Sequence, residues 1–397
     1  MQLEHRFLEI QDLLKELLPF ISAWDIDVIK GNRIDHPWIE SIYHFSPEQK
    51  FQFDGARESS ILQDRQWLKV IKMIKDLVHF KKLSSHDHHL NIMGKKKKQH
   101  EFNQLYSLLE NDKGKSVVDF GGGVGNLAYF LESNLDMQVN VLEKDETLIT
   151  TGIKRLSRFD SKISFTQKNI TSHPNEFNLL KDSQLAIGLH TCGNFAHDMF
   201  KICIKNNSPY IINFGCCYSK IQDDNYHLSK LSDKTLLFNS RALCAATLGF
   251  SPVSREIYDY RNKILTFKFS FYHWLEKNAT LSRFFSMSNS RRNLYKNDFA
   301  GFMRINLKKL FPQLKVPNDQ DLTDFLDSEE NQNLNDYFMA YYAIARYVGE
   351  LLEAYLLCDR ALFLAEQNYE CDILEVFDSK ISPRNKAIVA KKLVTVS

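Results

Sequence analysis

The feature that most constrains this chain is a glycine-rich turn directly after a short apolar run. Val117-Val118-Asp119-Phe120 leads into Gly121-Gly122-Gly123-Val124-Gly125, and an apolar, helix-like segment follows at 127–131. Glycine readily takes positive φ, and its missing side chain lets a ligand approach the backbone. The first N–H groups of a helix have no partner within the helix and can face that ligand. The pattern therefore predicts a strand, a turn and a helix that together bind a nucleotide-like molecule.

Short apolar runs alternate with helical patterns on both sides of the turn. Apolar strands that alternate with helices indicate a parallel sheet covered on both faces. We therefore predict an α/β fold with a doubly wound, Rossmann-like sheet of seven strands, the last two forming an antiparallel pair. The predicted strands are residues 116–120, 139–143, 163–166, 185–189, 210–214, 372–377 and 386–394.

The length of 397 residues predicts two domains or one domain with large additions. We expect an N-terminal helical region at 1–95, a ligand-binding core at 96–250, a mostly helical insertion at 251–345, and a C-terminal helix with the closing strands at 346–397. Within the insertion, residues 264–272 read as a hairpin or long strand. The polar run 318–335 reads as a loop or lid, and a helical pattern covers 341–366.

Composition narrows the class of protein. The formal net charge of +2 gives no overall signature of nucleic-acid binding. The seven cysteines are odd in number and scattered, which favours a reducing compartment over a disulfide framework. The sequence contains no run of about 18 apolar residues, so we expect no membrane span. The start of the chain lacks a signal-peptide pattern, and we expect a cytoplasmic or nuclear protein.

Three polar residues follow or end the predicted strands and are candidates for ligand binding. Glu143 ends the second strand, where a carboxylate can accept hydrogen bonds from ribose hydroxyls; the alternative is a solvated acid in a charged loop. Asn169 follows the third strand and can donate and accept at an adenine edge, or it is a plain turn residue. Asp119 ends the first strand and either orients the turn or reaches a ligand amine.

A basic run precedes the core. Lys95-Lys96-Lys97-Lys98 leads into Gln99-His100-Glu101, which opens the helix before the first strand. The lysines can meet an anion or can form a solvated loop. His100 and Glu101 can reach the ligand or can cap the helix.

The exits of the fourth and fifth strands carry His190, Cys192, Cys216 and Cys217. Thiolate and imidazole are ligands that zinc prefers, but an adjacent cysteine pair lacks the C-x2-C spacing that makes a tetrahedral site easy. The cysteines can instead be small apolar filler or include a nucleophilic thiol. We favour filler and predict no metal. His190 can act as a base or anchor a substrate.

The spacing Asp119-x-Gly121-x-Gly123-x-Gly125 differs from the G-x-G-x-x-G of dinucleotide folds and resembles motif I of class I S-adenosylmethionine (SAM) methyltransferases. Longer stretches resemble the methyltransferase-like protein 25 family and its relatives described as ribosomal RNA adenine dimethylase domain-containing. The likeness covers about residues 90–220 and 350–392. It rests on Lys98-Gln99-His100-Glu101, Gly188-Leu189-His190-Thr191-Cys192-Gly193-Asn194, Gly215-Cys216-Cys217-Tyr218, Cys358-Asp359-Arg360-Ala361-Leu362-Phe363-Leu364, Phe377 and Ser382-Pro383-Arg384-Asn385.

This resemblance implies a class I fold with SAM as cofactor. The residues then expected to bind it are Lys98, His100, Glu101, Asp119, Gly121, Gly123, Gly125, Glu143, Asn169 and His190. Methyltransferases that act on adenine amino groups carry an Asn/Asp-Pro-Pro-Tyr-like tetrad after the fourth strand. His190-Thr191-Cys192-Gly193 stands there instead, and we predict that the chain is not an adenine N6 dimethylase.

The predicted function is methyl transfer from SAM to a nucleophile on a macromolecule, either protein or RNA. His190 is the first candidate for a base and Tyr218 the second. The alternative is a degenerate methyltransferase fold that binds SAM or partners without turnover. An NAD-dependent dehydrogenase is disfavoured by the glycine spacing. The sequence leaves the oligomeric state open.

Overall fold

The structure is a computed structural model of the chain, and it describes residues 2–23, 25–84, 90, 95–170, 180, 183–222, 226–279 and 292–393. Among these residues, no helix combines the length and the apolar character that a bilayer crossing requires.

The central element is a single sheet, which contains eight strands in the described part of the chain. They are β1 Lys81–Lys82, β2 Ser116–Phe120, β3 Gln138–Glu143, β4 Ser164–Gln167, β5 Leu185–Cys192, β6 Tyr210–Cys216, β7 Tyr369–Glu375 and β8 Lys386–Lys392. Their order is β1-β7-β8-β6-β5-β2-β3-β4, and only the pairs that include β8 are antiparallel. The doubly wound fold is thereby confirmed, with the two-residue β1 added at one edge to the seven expected strands.

The described residues contain fifteen α-helices, some in the same compact unit as the sheet and some in a second, helical unit. They are α1 Gln2–Leu17, α2 Pro19–Ser22, α3 Asp25–Ile29, α4 Pro37–Tyr43, α5 Pro47–Lys50, α6 Arg65–Val78, α7 Lys96–Leu109, α8 Asn126–Leu135, α9 Glu146–Leu156, α10 Asn194–Lys205, α11 Ser240–Ala245, α12 Arg255–Asn278, α13 Phe299–Leu310, α14 Asp319–Asp327 and α15 Glu329–Ala365.

The chain divides into two compact units. The sheet unit contains Met1–Glu16, Ile74–Ser251 and Gly349–Ser397, and the helical unit contains Leu17–Met73 and Pro252–Val348. Every residue of β6 is buried, as expected for a central strand of a parallel sheet that is covered on both faces. The order of the strands reverses between β2 and β5, so the crevice at the carboxyl ends of these two strands is the expected ligand site.

The prediction of a strand or hairpin at 264–272 was wrong, because these residues lie within α12. The alternation of apolar and polar residues suggested a strand. The residues that are buried, however, include Phe267, Phe271 and Leu275, which are spaced four apart and pack in one core with Phe302 of α13. A spacing of four places side chains on one face of a helix, so packing against a neighbouring helix decides the structure here.

The prediction of a loop or lid at 318–335 was also wrong, because α14 and the start of α15 occupy this run. Its polar residues cap and connect helices. The Asn318 side chain accepts a hydrogen bond from the Asp321 backbone N–H at 2.8 Å and caps α14. The amides of Asn331 and Asn335 both donate to the Ser270 hydroxyl of α12, at 2.9 and 3.0 Å.

Candidate functional site

The glycine turn joins β2 to α8 through backbone conformations that favour glycine. Gly121, Gly123 and Gly125 have φ angles of 68°, 58° and 70°. Between them, Gly122 lies over the Asp119 carboxyl, and a β-carbon there would stand 2.3 Å from Oδ2. A β-carbon on Gly125 would stand 2.9 Å from the Phe165 ring. The glycines therefore permit both the path of the turn and its close packing.

Glu143 connects the end of β3 to this turn. Its Oε2 accepts a hydrogen bond from the Gly123 N–H at 3.1 Å, and its Oε1 accepts from the N–H groups of Lys144 and Asp145 at 2.8 and 3.0 Å. The residue is only 9% exposed. The backbone thus fixes the position of a largely buried carboxylate beside the turn.

Two adjoining cavities of about 400 Å³ each lie at the carboxyl ends of the strands. We call the first the β3–β5 cavity; it is lined by Gly121, Leu142, Glu143, Lys144, Lys168, Asn169, Ile170, His190, Cys192, Asn194, Phe195, Lys220 and Gln222. We call the second the α7 cavity; it is lined by Lys95, Lys97, Lys98, Glu101, Phe102, Asp119, Gly121, Gly122, Asn126, Leu127, Leu189 and His190. Gly121 and His190 line both, so the cavities meet at the glycine turn.

Asp119 faces the α7 cavity with an unsatisfied carboxyl. The residue is 1% exposed, and its Oδ2 has no hydrogen-bond partner among the residues that the structure describes. Burial, assisted by the charge of Glu143, raises the pKa of Asp119 to about 7. A buried carboxyl without a partner is costly, and the cationic group of a ligand would satisfy it. Burial also lowers the pKa of Lys98, which lines the same cavity.

His190 reaches the junction of the two cavities because β5 is irregular at this point. The register between β5 and β6 shifts between Leu189 and Thr191, and His190 has a φ of 66°. Bulges re-aim side chains, and a positive φ is uncommon in residues other than glycine. His190 Nε2 lies 3.7 Å from Glu101 Oε1. The backbone of β5 therefore directs the imidazole to the cleft.

Glu101 holds His190 from the first turns of α7. The carboxylate is 6% exposed and accepts a hydrogen bond from the Ser382 hydroxyl at 2.6 Å. Burial raises the pKa of Glu101, but the nearby imidazole of His190 and the hydrogen bond from Ser382 together keep it below its ordinary value. Glu101 therefore presents a negative charge to the imidazole, and the segment after β7 contributes to the site.

Two residues predicted from the sequence to act at the site have other roles. The Nε2 of His100 accepts a hydrogen bond from the Asp378 backbone N–H at 2.8 Å, and its ring contacts Phe377. Tyr218 is buried with its ring facing the Arg360 guanidinium, and burial raises its pKa. Neither residue lines either cavity. The structure therefore does not support His100 as a cofactor ligand or Tyr218 as a base.

The remaining predicted residues are close to the cleft. Asn169 lines the β3–β5 cavity, whereas Gly123 and Gly125 belong to the turn and line neither cavity. The sequence analysis missed Asn194, Phe195 and Lys220, which also line this cavity. The sequence could have indicated these residues, because they follow the ends of β5 and β6, where side chains from neighbouring strands converge.

The sulfur atoms of Cys192, Cys216 and Cys217 lie within 4.8 Å of one another. Cys192 Sγ is 3.1 Å from Cys216 Sγ, and Cys192 lines the β3–β5 cavity. A hydrogen bond from Cys216 lowers the pKa of Cys192 to about 6. The two strand exits thus bring together thiols that lie far apart in the sequence.

Comparisons with known proteins agree with this geometry. Residues 97–224 match a family described as "Methyltransferase domain". The "Probable methyltransferase-like protein 25" of Mus musculus is 22% identical over 242 residues, which are 56% of this chain and 40% of that protein. The chain therefore matches less than half of that relative's length.

Solved structures also show local likeness. One is an S-adenosylmethionine-dependent methyltransferase from Clostridium acetobutylicum, with 13% identity, coverage of 29% of this chain and 49% of that chain, and a TM-score of 0.24. Another is the glycopeptide N-methyltransferase MtfA complexed with SAM, with 12% identity, coverage of 29% and 53%, and a TM-score of 0.23. These low scores add nothing to the assignment. The family match of residues 97–224 to a methyltransferase domain agrees with the strand order and with the glycine turn bound by Glu143.

Proposed function

We propose that this chain transfers a methyl group from SAM to a nucleophile on a macromolecule, either protein or RNA. The observation that carries the proposal is the position of Glu143, which is hydrogen-bonded to the glycine turn and lines the β3–β5 cavity. A carboxylate fixed in this way can accept hydrogen bonds from two ribose hydroxyls. The family match of residues 97–224 supports the same function.

The residues of the cleft fit the parts of SAM. The unsatisfied Asp119 carboxyl in the α7 cavity suits the amino group of the methionine end, and Lys98 suits its carboxylate. Glu143 suits the ribose, and Asn169 can donate and accept at the adenine edge. Gly121 lines both cavities and lets the middle of the ligand lie against bare backbone.

The bound cofactor would supply an electrophilic methyl group on a sulfonium. The chain's own contribution is first to hold the acceptor in line with that methyl group, since orientation alone can lower a barrier by about 7–11 kcal/mol. His190, where the two cavities meet, accepts the proton that a protonated acceptor must lose. The carboxylate of Glu101, 3.7 Å from Nε2, orients the imidazole for this transfer.

Two measurements test the proposal in sequence. Calorimetric titration of the purified protein with SAM measures binding, and an absence of binding would refute it. The protein is then incubated with tritiated SAM and a lysate from cells that lack it, and the labelled products are separated into protein and RNA. Label in one fraction identifies the acceptor class. Binding without label in either fraction supports a scaffold instead of an enzyme.

His190→Asn should lower kcat by roughly 100-fold or more while the Kd for SAM changes little. Asparagine tolerates the left-handed backbone that His190 adopts with a φ of 66°, so the variant removes the imidazole without straining β5. Single-turnover kinetics on the labelled acceptor, together with SAM titration, separate the two effects. An unchanged kcat would exclude His190 as the base.

Gly121→Ala should weaken SAM binding by about tenfold or more. The φ of 68° disfavours alanine, and the new β-carbon would stand 3.1 Å from the Phe195 ring at the place where the cavities meet. Gly114→Ala is the matched control, because Gly114 has a φ of 76° with no atom near its β-carbon position and lines neither cavity of the cleft. Equal SAM affinities of the two variants would contradict the assignment of Gly121.

A further inference from the structure

We propose that Cys192, Cys216 and Cys217 bind one zinc ion at the exits of β5 and β6, with its remaining coordination position open to the β3–β5 cavity. The three sulfur atoms lie within 4.8 Å of one another. Zinc prefers thiolate ligands, and sites with three protein ligands keep a position for water or a substrate atom. The proposal concerns metal binding and does not depend on methyl transfer.

The path of the backbone explains how adjacent cysteines can share one ion. Successive side chains in a regular strand point to opposite faces, so two adjacent cysteines in such a strand do not face the same ion. Cys216 ends β6, however, and Cys217 has a φ of 48°. This left-handed residue interrupts the alternation and brings its thiol to the same side. Such conformations are uncommon outside glycine and concentrate at functional sites.

The third thiol comes from the neighbouring strand in direct register. Cys192 is the last residue of β5 and pairs with Cys216 across the sheet. Their sulfur atoms are 3.1 Å apart, and the other separations do not exceed 4.8 Å. With Zn–S bonds of about 2.3 Å, the sulfur atoms of a tetrahedral site are about 3.8 Å apart. The observed separations, from 3.1 Å to at most 4.8 Å, differ from this distance by no more than about 1 Å, so small side-chain rotations complete the site.

A buried arginine, Arg360, lies next to the three cysteines and supports the presence of negative charge on them. Arg360 is 2% exposed, and its Nη1 lacks a hydrogen-bond partner within the described residues. A β-carbon on Gly215, the residue before Cys216, would stand 2.5 Å from that Nη1. Three thiolates with one zinc ion carry a net charge of −1, which a neighbouring guanidinium would balance.

The open position of the ion would face the ligand cleft. Cys192 lines the β3–β5 cavity, as does His190, two residues before it. Cys216 is buried, and Cys217 is partly buried. Cys192 is also partly buried, and of the three cysteines it is the one that lines the β3–β5 cavity, so a ligand in that cavity approaches the cluster from the side of Cys192. A water molecule or a donor atom of the acceptor can complete the coordination there.

The test uses the full chain, purified under reducing conditions without chelator and reconstituted with zinc. Metal analysis should find about one zinc per chain, and X-ray absorption should find three sulfur neighbours at about 2.3 Å. Cobalt(II) should give thiolate charge-transfer bands that zinc abolishes. These measurements on the wild-type protein remain decisive even where a variant fails to fold.

The triple variant C192S/C216S/C217S should bind zinc at least about 100-fold more weakly. C244S is the matched control, since Cys244 is a partly buried free cysteine outside the cluster, and its zinc affinity should equal that of the wild type. Circular dichroism verifies that both variants are folded. A zinc shell without sulfur, a wild type that does not retain zinc after reconstitution, or an affinity unchanged in the folded triple variant would overturn the proposal.

Discussion

Replacing Glu143 by alanine should reduce the affinity for SAM by at least about 100-fold. Hydrogen bonds to a charged group contribute about 1.5–3 kcal/mol each, and the proposed pair to the ribose hydroxyls would contribute at least 3 kcal/mol. Because about 1.4 kcal/mol corresponds to a factor of ten in affinity, the affinity for SAM falls by more than about 100-fold. The variant also removes the acceptor of the Gly123 N–H and loosens the glycine turn. Isothermal titration calorimetry measures the affinity.

The control for this variant is Glu146→Ala, which removes an exposed carboxylate three residues later, in the first turn of α9. Its SAM affinity should match that of the wild type within about twofold, since weak surface charges add little. Thermal unfolding of both variants shows whether the sheet unit remains intact. A folded Glu143→Ala protein that binds SAM as tightly as the wild type would remove the central support for the proposed function.

The second large effect is on the pH dependence of stability, and it comes from Asp119. The pKa of Asp119 is raised from 3.8 to about 7 in the folded chain, so between these values the folded state binds more protons than the unfolded state. The free energy of unfolding must then fall as pH rises, by up to about 1.4 kcal/mol per pH unit. The contribution of protonated Asp119 to the free energy of unfolding is fully present below about pH 4 and is lost as pH rises through 7.

Asp119→Asn should abolish that slope. Without SAM, the variant should be more stable than the wild type at pH 8, because it avoids a buried charge without a partner. It should also bind SAM about 10- to 100-fold more weakly at pH 8, since it cannot pair with the ligand amine as an anion. Denaturant unfolding from pH 4.5 to 8.5, with and without SAM, measures both effects.

The matched control for Asp119 is Asp136→Asn at the exposed end of α8. Asp136 has a φ of 52°, a conformation that asparagine tolerates, so the substitution changes the same charge without burial or strain. The free energy of unfolding of Asp136→Asn should change with pH in the same way as that of the wild type. If Asp119→Asn follows the same curve and retains SAM affinity, the carboxyl has neither the raised pKa nor the ligand role assigned to it.

The sequence by itself determined the elements whose conformation depends on residues that are close together along the chain. The run Val117-Val118-Asp119-Phe120 and the glycines after it specify β2, the turn and α8, because strand propensity and positive φ are local properties. The alternation of apolar runs with helical segments likewise predicted the parallel sheet and its closing pair. Glu143 could be placed beside the turn because neighbouring strands of such a sheet end at the same edge.

Local reasoning failed where distant residues decide the structure. Residues 264–272 alternate like a strand, yet they are helical because Phe267 and Phe271 pack against α13. The contact of His100 with the backbone of Asp378, 278 positions along the chain, was likewise not predicted. The direction of a side chain in these cases depends on which surface covers it, and one segment of sequence does not contain that information.

Tertiary structure alone decided the chemistry of the cleft. The bulge in β5 turns His190 toward Glu101, and the left-handed Cys217 joins its thiol to those of Cys192 and Cys216. Each arrangement depends on the pairing of β5 with β6, which brings together residues that are remote in the chain. Sequence patterns specify backbone conformations over a few residues, whereas the distances between side chains are set by how the completed sheet aligns its strands.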